Sequence, residues 1–194
     1  MGRDPGVNAL ALTCNQATSQ LLVIDIQERL GAAMPEKVLA RVMRNVTLLM
    51  TAADRLGIPV TVSEQYPKGL GPTDARIATA IPPAARRIEK TCFSCADAEG
   101  FAPVIDDARR RQVILAGMES HVCVLQTAMD LLAAGFHPFV VEDAVCSRKL
   151  ENYENALQRL QAAGAAIATA ESVVFEWLRD ARHEHFKALS AMVR

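Results

Sequence analysis

The segment "QVILAGMESHVCVLQTAMDLLAAGFHPFVVEDAV", Gln112 to Val145, decides the fold. It opens on "QVILAGM", a bounded apolar run without polar alternation, which suits a strand buried on both faces. A helical stretch follows from about Ser120 to Ala134, with Leu125, Met129 and Leu132 among its core residues and Gly135 as its stop. "HPFVVEDAV" closes the segment as a second strand. Two strands joined by one helix lie parallel, with a right-handed crossover. Cys123 falls in the first turn of that helix, just past the strand. It is either a small core residue, as buried cysteines commonly are, or a nucleophile.

The same alternation extends in both directions. "QLLVIDIQ" is a short buried strand interrupted by Asp25. In "PEKVLARVMRNVTLLMTAADRLG", Val38, Val42, Val46, Leu49, Ala53 and Leu56 line one helix face, with Pro35 at its start and Gly57 at its stop. "IPVTVSE" is a strand, and the Gly- and Pro-rich "QYPKGLGPTDA" is an ordered loop or a lid. "RRIEKTCF" is a short strand ending near Lys90, and "ADAEGFAPVIDDARRR" is helical in its second half. "ENYENALQRLQAAG" is a helix and "AAIAT" a short strand. The last stretch forms one or two helices, whose Phe175 and Trp177 either close the core or meet a neighbouring subunit. About six strands fit, in an α/β fold with helices on both faces of a mainly parallel sheet. Residues 1–19 are expected to form a loose leader without the basic region of a signal peptide, and residues 20–194 a single domain.

Composition narrows the partners. The chain has 194 residues, 51% hydrophobic and 22% charged, with a net charge of -1. That balance gives no reason to expect nucleic acid or an anionic membrane. No apolar run reaches the roughly 18 residues of a membrane span. Five cysteines, an odd count over a long chain, argue against a disulfide framework and make a reducing cytoplasm the default. No glycine-rich dinucleotide or triphosphate motif occurs, so no cofactor is expected.

In open parallel sheets ligands bind outside the carboxyl ends of the strands. Asp25 ends the first strand, Lys90 ends the short third one, and Cys123 follows the "VILAG" strand. The topology therefore brings three reactive groups to one edge. A helix N-terminus and a nearby cation both favour a thiolate, so Lys90 and the helix start are expected to hold Cys123 ionised. Asp25 would take the thiol proton and return it to a leaving group. The N–H groups around Glu119 to Cys123 would hold an oxyanion. Each residue also has a plainer reading: Asp25 as a cap, Lys90 as a solvated edge residue, Cys123 as packing. Gln65 and Tyr66, after the second strand, are candidate substrate contacts, and Phe93 a candidate apolar wall. Gly69 and Gly71 would let their loop fold over the pocket. "CFSC", Cys92 to Cys95, has redox or zinc spacing but lacks a second pair, and reads as two thiols beyond Lys90. His121 is a weaker candidate base because the helix turn points it elsewhere, and Cys14 and Cys146 read as spectators.

"LLVIDIQERL", "EKTCFS" and "VILAGMESHVCVLQTAMDLLAAGFHPFVVEDAVCSR" together resemble the isochorismatase-like cysteine hydrolases, from about Gln20 to the end of the chain. "SEQYPKGLGPT" and "KTCFS" resemble the isochorismatase domain-containing subgroup. The resemblance implies a three-layer α/β/α sandwich around a six-stranded parallel sheet of Rossmann-like topology. It implies a catalytic triad at Asp25, Lys90 and Cys123, a non-proline cis peptide at Met118–Glu119, and an oxyanion hole from the amides of Glu119 and Cys123. It also implies a thioester intermediate and a homo-oligomer, dimer or larger. Metal-binding members such as nicotinamidases carry an Asp-x-His cluster after the second strand, and none of His121, His137, His183 and His185 lies there. A metal site is therefore not expected, and nicotinamidase activity is put in doubt. Isochorismatases proper lack the nucleophilic cysteine, so Cys123 points to hydrolysis of a C–N bond in a small amide, imide or related substrate. The alternative is a thiol redox or peroxide-responsive protein using Cys123 or Cys92/Cys95.

Overall fold

The computed structural model describes residues 13–105 and 109–193. Six strands are present: β1 (Ser19–Ile24), β2 (Val60–Gln65), β3 (Arg86–Lys90), β4 (Gln112–Met118), β5 (His137–Cys146) and β6 (Ala166–Ala168). They form one sheet in the order β3-β2-β1-β4-β5-β6, and every neighbouring pair is parallel. The chain builds outward from β1 to one side, then crosses back and builds from β4 to the other. β1 and β4 thus meet at the point where the order reverses, with Ile24 opposite Gly117. Their carboxyl ends diverge into separate connections there, which opens a crevice.

The strands lack polar alternation because both sheet faces are covered. Successive side chains point to opposite faces. Leu21 and Val23 of β1, with Ile114 and Ala116 of β4, pack under α2 (Glu36–Arg55) and α8 (Ala170–Leu178). Leu22, Ile24, Val113 and Leu115 pack on the other face, under α6 (Leu125–Ala133) and α7 (Leu150–Ala162). On α2 the buried stripe runs through Val42, Val46, Leu49, Ala53 and Leu56, while Val38 is only partly buried. The buried stripe of the helix after β4 is Val124, Ala128 and Leu131, with Leu125; Met129 and Leu132 are partly buried at its flank. That phase differs from the expected one because the first turn, Ser120–Val124, is π-helical and regular α geometry starts only at Leu125.

Gly117 fixes how closely β1 and β4 approach. Its φ is +120°, and a Cβ there would stand 2.0 Å from the Ile24 carbonyl oxygen. Several short helices carry no periodic signal because they span only one turn: α1 (Glu28–Ala32), α3 (Pro67–Leu70), α4 (Ala75–Ala78) and α5 (Ala102–Ile105). α5 falls within the stretch expected to be helical before β4, of which residues 106–108 lie outside the described residues. A 3-10 turn covers Cys95–Asp97, and α9 (Phe186–Ser190) ends the described chain. Trp177 is buried and donates its Nε1–H to Ser19 Oγ at 3.0 Å, so it closes the core.

Residues 1–12 of the expected leader lie outside the described residues. Those that follow are tied down. Asn15 N donates to Gln112 Oε1 at 2.7 Å, Cys14 N donates to Glu176 Oε2 at 2.6 Å, and Ser19 and Gln20 already belong to β1. No helix among the described residues is long and apolar enough to cross a membrane.

Candidate active site

Asp25, Lys90 and Cys123 arrive at the same edge from β1, β3 and the turn after β4. Asp25 leaves β1 in the left-handed region, φ +51°, where aspartate is among the few tolerated residues. Its backbone N–H donates to the Ser63 carbonyl at 3.1 Å. Its carboxylate accepts from Ser63 Oγ at Oδ1 and from Lys90 Nζ at Oδ2, both at 2.7 Å. The Asp25 and Lys90 side chains are fully buried. Lys90 Nζ also faces Gln65 Oε1 at 2.7 Å, the Phe93 carbonyl at 3.1 Å and the Cys92 carbonyl at 3.3 Å. An ammonium has three N–H groups, and four acceptors already surround this one. Burial works against its charge, but Asp25 and the neighbouring thiols outweigh burial and raise the Lys90 pKa.

Cys123 lies in the π-helical turn and is buried, 5% exposed. The peptide entering that turn, Met118–Glu119, is cis. The surroundings of the thiol favour its protonated form: burial pushes its pKa up, the Asp25 charge pushes it further, and the pull of Lys90 does not compensate. Lys90 does not reverse this because its N–H groups are directed at Asp25, Gln65 and two carbonyls.

The remaining candidates divide. Gln65 is engaged within the site: its Oε1 accepts from Lys90 and one Nε2–H donates to the Thr91 carbonyl at 2.7 Å. Tyr66 and Phe93 stand at the rim, each 54% exposed. The Glu119 side chain turns away from the site, and its Oε1 accepts from Arg148 N at 3.1 Å and Arg148 Nε at 3.0 Å. His121 is engaged with Ser147 Oγ at 2.9 Å and Asn152 Nδ2 at 3.3 Å. Cys95 is fully buried, its thiol pushed up to about 11 chiefly by burial, whereas Cys92 is half-buried. A redox pair needs a low-pKa, accessible thiol, and Cys95 is neither.

The stretch expected as a loop or lid is a stapled loop. Gln27, buried after β1, donates Nε2–H to the Gln65 carbonyl at 3.0 Å and the Gly71 carbonyl at 2.6 Å. Its Oε1 accepts from Gln65 N at 2.7 Å, and Arg29 donates to the Gly69 carbonyl. Three residues with a part in the site, Ser63, Gln27 and Cys95, are not among the candidate site residues of the sequence, although each falls within a segment that the sequence singles out. Ser63 and Gln27 have one faint signal, a polar residue within or directly after an otherwise apolar strand.

A cavity of about 450 Å³ lies on the outer side of Lys90, lined by Tyr66, Lys68, Glu89, Cys92, Asp97 and Glu99 among others. Neither Asp25 nor Cys123 lines it. Its carboxylates outnumber its cations once Lys90 is matched with Asp25. Among the described residues no group of three or more histidine, cysteine or carboxylate side chains is arranged to hold a metal ion.

The class that the fold and the site define is a doubly wound α/β protein with Asp25, Lys90 and Cys123 gathered at the carboxyl edge of its parallel sheet. The family model described as "Isochorismatase domain" matches residues 19–172, and the chain belongs to that family. It is 38% identical over 178 residues to isochorismatase domain-containing protein 1 of Danio rerio, covering 92% of this chain and 62% of that protein. The chain thus spans about three fifths of the length of that relative. The structure of MAR1 ribonuclease from Caenorhabditis elegans superposes with a TM-score of 0.87 at 32% identity, over 93% of this chain and 92% of that one. YcaC from Pseudomonas aeruginosa, with hexane-2,5-diol and covalent acrylamide, superposes with a TM-score of 0.86 at 26% identity, over 93% of this chain and 91% of that one.

Proposed function

We propose that this chain is a metal-independent cysteine hydrolase acting on the C–N bond of a small amide or related substrate. The observation that carries the reading is the fully buried Asp25–Lys90 pair, 2.7 Å apart, at the sheet edge where the turn carrying the buried Cys123 begins. Cys123 Sγ attacks the substrate carbonyl carbon as its proton passes to Asp25. The amide N–H groups of Glu119 and Cys123 hold the oxygen that becomes negative. Collapse breaks the C–N bond, and Asp25 gives its proton to the departing nitrogen, leaving a thioester on Cys123. Water then attacks the thioester, Asp25 takes a proton from it, and the carboxylic acid leaves with the thiol restored. Lys90 keeps Asp25 anionic between proton transfers and lowers the energy of the transient thiolate.

The covalent acrylamide in the Pseudomonas relative supports a reactive group on this scaffold. The net charge of -1 gives no reason to expect a basic surface suited to a polyanion, so a ribonuclease activity, the one named for the nematode relative, is the less favoured reading. Five free cysteines support a reducing, cytoplasmic setting. The exposed rim aromatics Tyr66 and Phe93 support a homo-oligomer in which a second copy shields the site, and sedimentation velocity measures that directly. Activity is tested with a panel of small amides against Cys123→Ala and Asp25→Asn. Both variants should lose at least about 10³-fold in kcat/KM on any amide the wild type turns over, and unchanged turnover by Cys123→Ala would sink the mechanism.

A further inference from the structure

Ser63 makes two contacts with the same residue. Its carbonyl accepts the Asp25 backbone N–H at 3.1 Å, and its hydroxyl donates to Asp25 Oδ1 at 2.7 Å. On its far side the hydroxyl meets Cys95 Sγ at 3.5 Å, and Cys95 N is held by Thr127 Oγ1 at 2.9 Å. Ser63, Asp25 and Cys95 are fully buried and Thr127 equally so, so no solvent competes for these bonds.

The direction of the chain follows from proton counting. An ionised carboxylate only accepts, so the single Ser63 proton points at Asp25. The Ser63 oxygen then has only lone pairs left for Cys95, which makes Cys95 the donor. The order is Cys95 S–H to Ser63 O–H to Asp25, with Lys90 closing the other carboxylate oxygen. The raised thiol pKa of Cys95 agrees with its remaining protonated at the end of this chain.

We propose that Ser63, backed by Cys95, is a positioning residue that fixes the carboxylate of Asp25 as the acceptor for the Cys123 proton. This rests on the reading of Asp25 as the base for Cys123. A donor to the charged form lowers a carboxyl pKa, and its removal raises it. The titratable groups that act on the pair are Lys90 from β3, Cys95 from the 3-10 turn and the two partners themselves. Of these only Cys95 is reached through Ser63.

The test needs no substrate. The rate of Cys123 alkylation by iodoacetamide is measured against pH, with peptide mass mapping to separate Cys123 from Cys92. The wild-type rate is expected to carry an acid limb, set by the group that accepts the Cys123 proton. Ser63→Ala should move the midpoint of that limb upward by about one pH unit. Cys95→Ala should move it by less than half as much. Ser63→Thr, which keeps the hydroxyl, should return it to the wild-type position. Circular dichroism and urea midpoints show which variants are folded. A structural role for Ser63 would lower the rate across the whole range without moving the midpoint. A folded Ser63→Ala with the wild-type midpoint therefore overturns the proposal and leaves Asp25 as base. A wild type with no acid limb overturns the base assignment and this proposal together. A limb that shifts as stated in a protein that cleaves no amide upholds the positioning role and refutes the substrate class alone.

Discussion

Asp25→Asn is the substitution from which the buried pair predicts most. Asp25 and Lys90 lie 2.7 Å apart with both side chains fully buried. At an effective dielectric constant of about 20 that separation corresponds to about 6 kcal/mol of attraction. Much of this offsets the cost of removing the two charges from water, so the attraction is not a net gain. Asparagine keeps the shape and removes the charge. Lys90 then remains buried among neutral acceptors, and breaking such a pair costs about 3–5 kcal/mol. For a chain of this length that lowers Tm by about 6–20 °C. The pH dependence carries the signature. In the wild type the Lys90 pKa is raised, so its contribution is fully present below the ordinary lysine pKa and is lost only as pH rises through the higher folded value. In the variant the largest counterweight to burial is gone and the folded pKa drops below the ordinary one. The variant should therefore regain stability relative to wild type between about pH 8 and 10, as Lys90 discharges. Urea denaturation at pH 7, 8, 9 and 10 measures the gap directly. Adding Lys90→Met should recover part of the loss, giving a coupling energy of at least about 1 kcal/mol. A pH-independent gap, or a loss under about 1 kcal/mol at pH 7, would refute the account of Lys90 and Asp25 as a mutually dependent buried pair.

Two further outcomes follow from the scaffold. Gly117→Ala places a methyl 2.0 Å from the Ile24 carbonyl at a φ of +120°, so it should destabilise by about 3 kcal/mol or more, read as a lowered urea midpoint. Gln112 Oε1 accepts from Asn15 N, Thr18 Oγ1 and Ser19 Oγ, and Gln112→Leu should cost about 1–3 kcal/mol and speed hydrogen exchange at the Asn15 amide, while exchange in α6 stays unchanged.

Much of the scaffold is legible in the residues. Long apolar runs such as "QVILAGM" cannot be half-exposed strands, so helices must cover both faces. The helix between Glu36 and Arg55 shows its buried stripe because twenty residues give the period room to repeat. The helices of four and five residues are silent for the opposite reason. The first turn of the nucleophile helix reads as ordinary α-helix, since nothing in "SHVCV" marks a π turn.

The site divides along a similar line. That Asp25, Lys90 and Cys123 reach one edge follows from chain order, because parallel strands share a direction and each residue ends or follows one. What each side chain touches does not follow. Gln65 reads as a ligand contact by position, yet both ends of its carboxamide are engaged by Lys90 and Thr91. Cys123 reads as a thiolate beside a lysine, yet the lysine faces a carboxylate, and burial with that carboxylate raises the thiol pKa. Sequence determined the layers, the sheet direction and the edge where reactive groups gather, since those depend on hydrophobic period and chain order. Only the tertiary structure decided the strand order that sets β1 beside β4, the donor from Ser63 and the charge state of the thiol. Those depend on distances of about 3 Å and on exclusion of water, which arise only when segments remote in the chain are packed together.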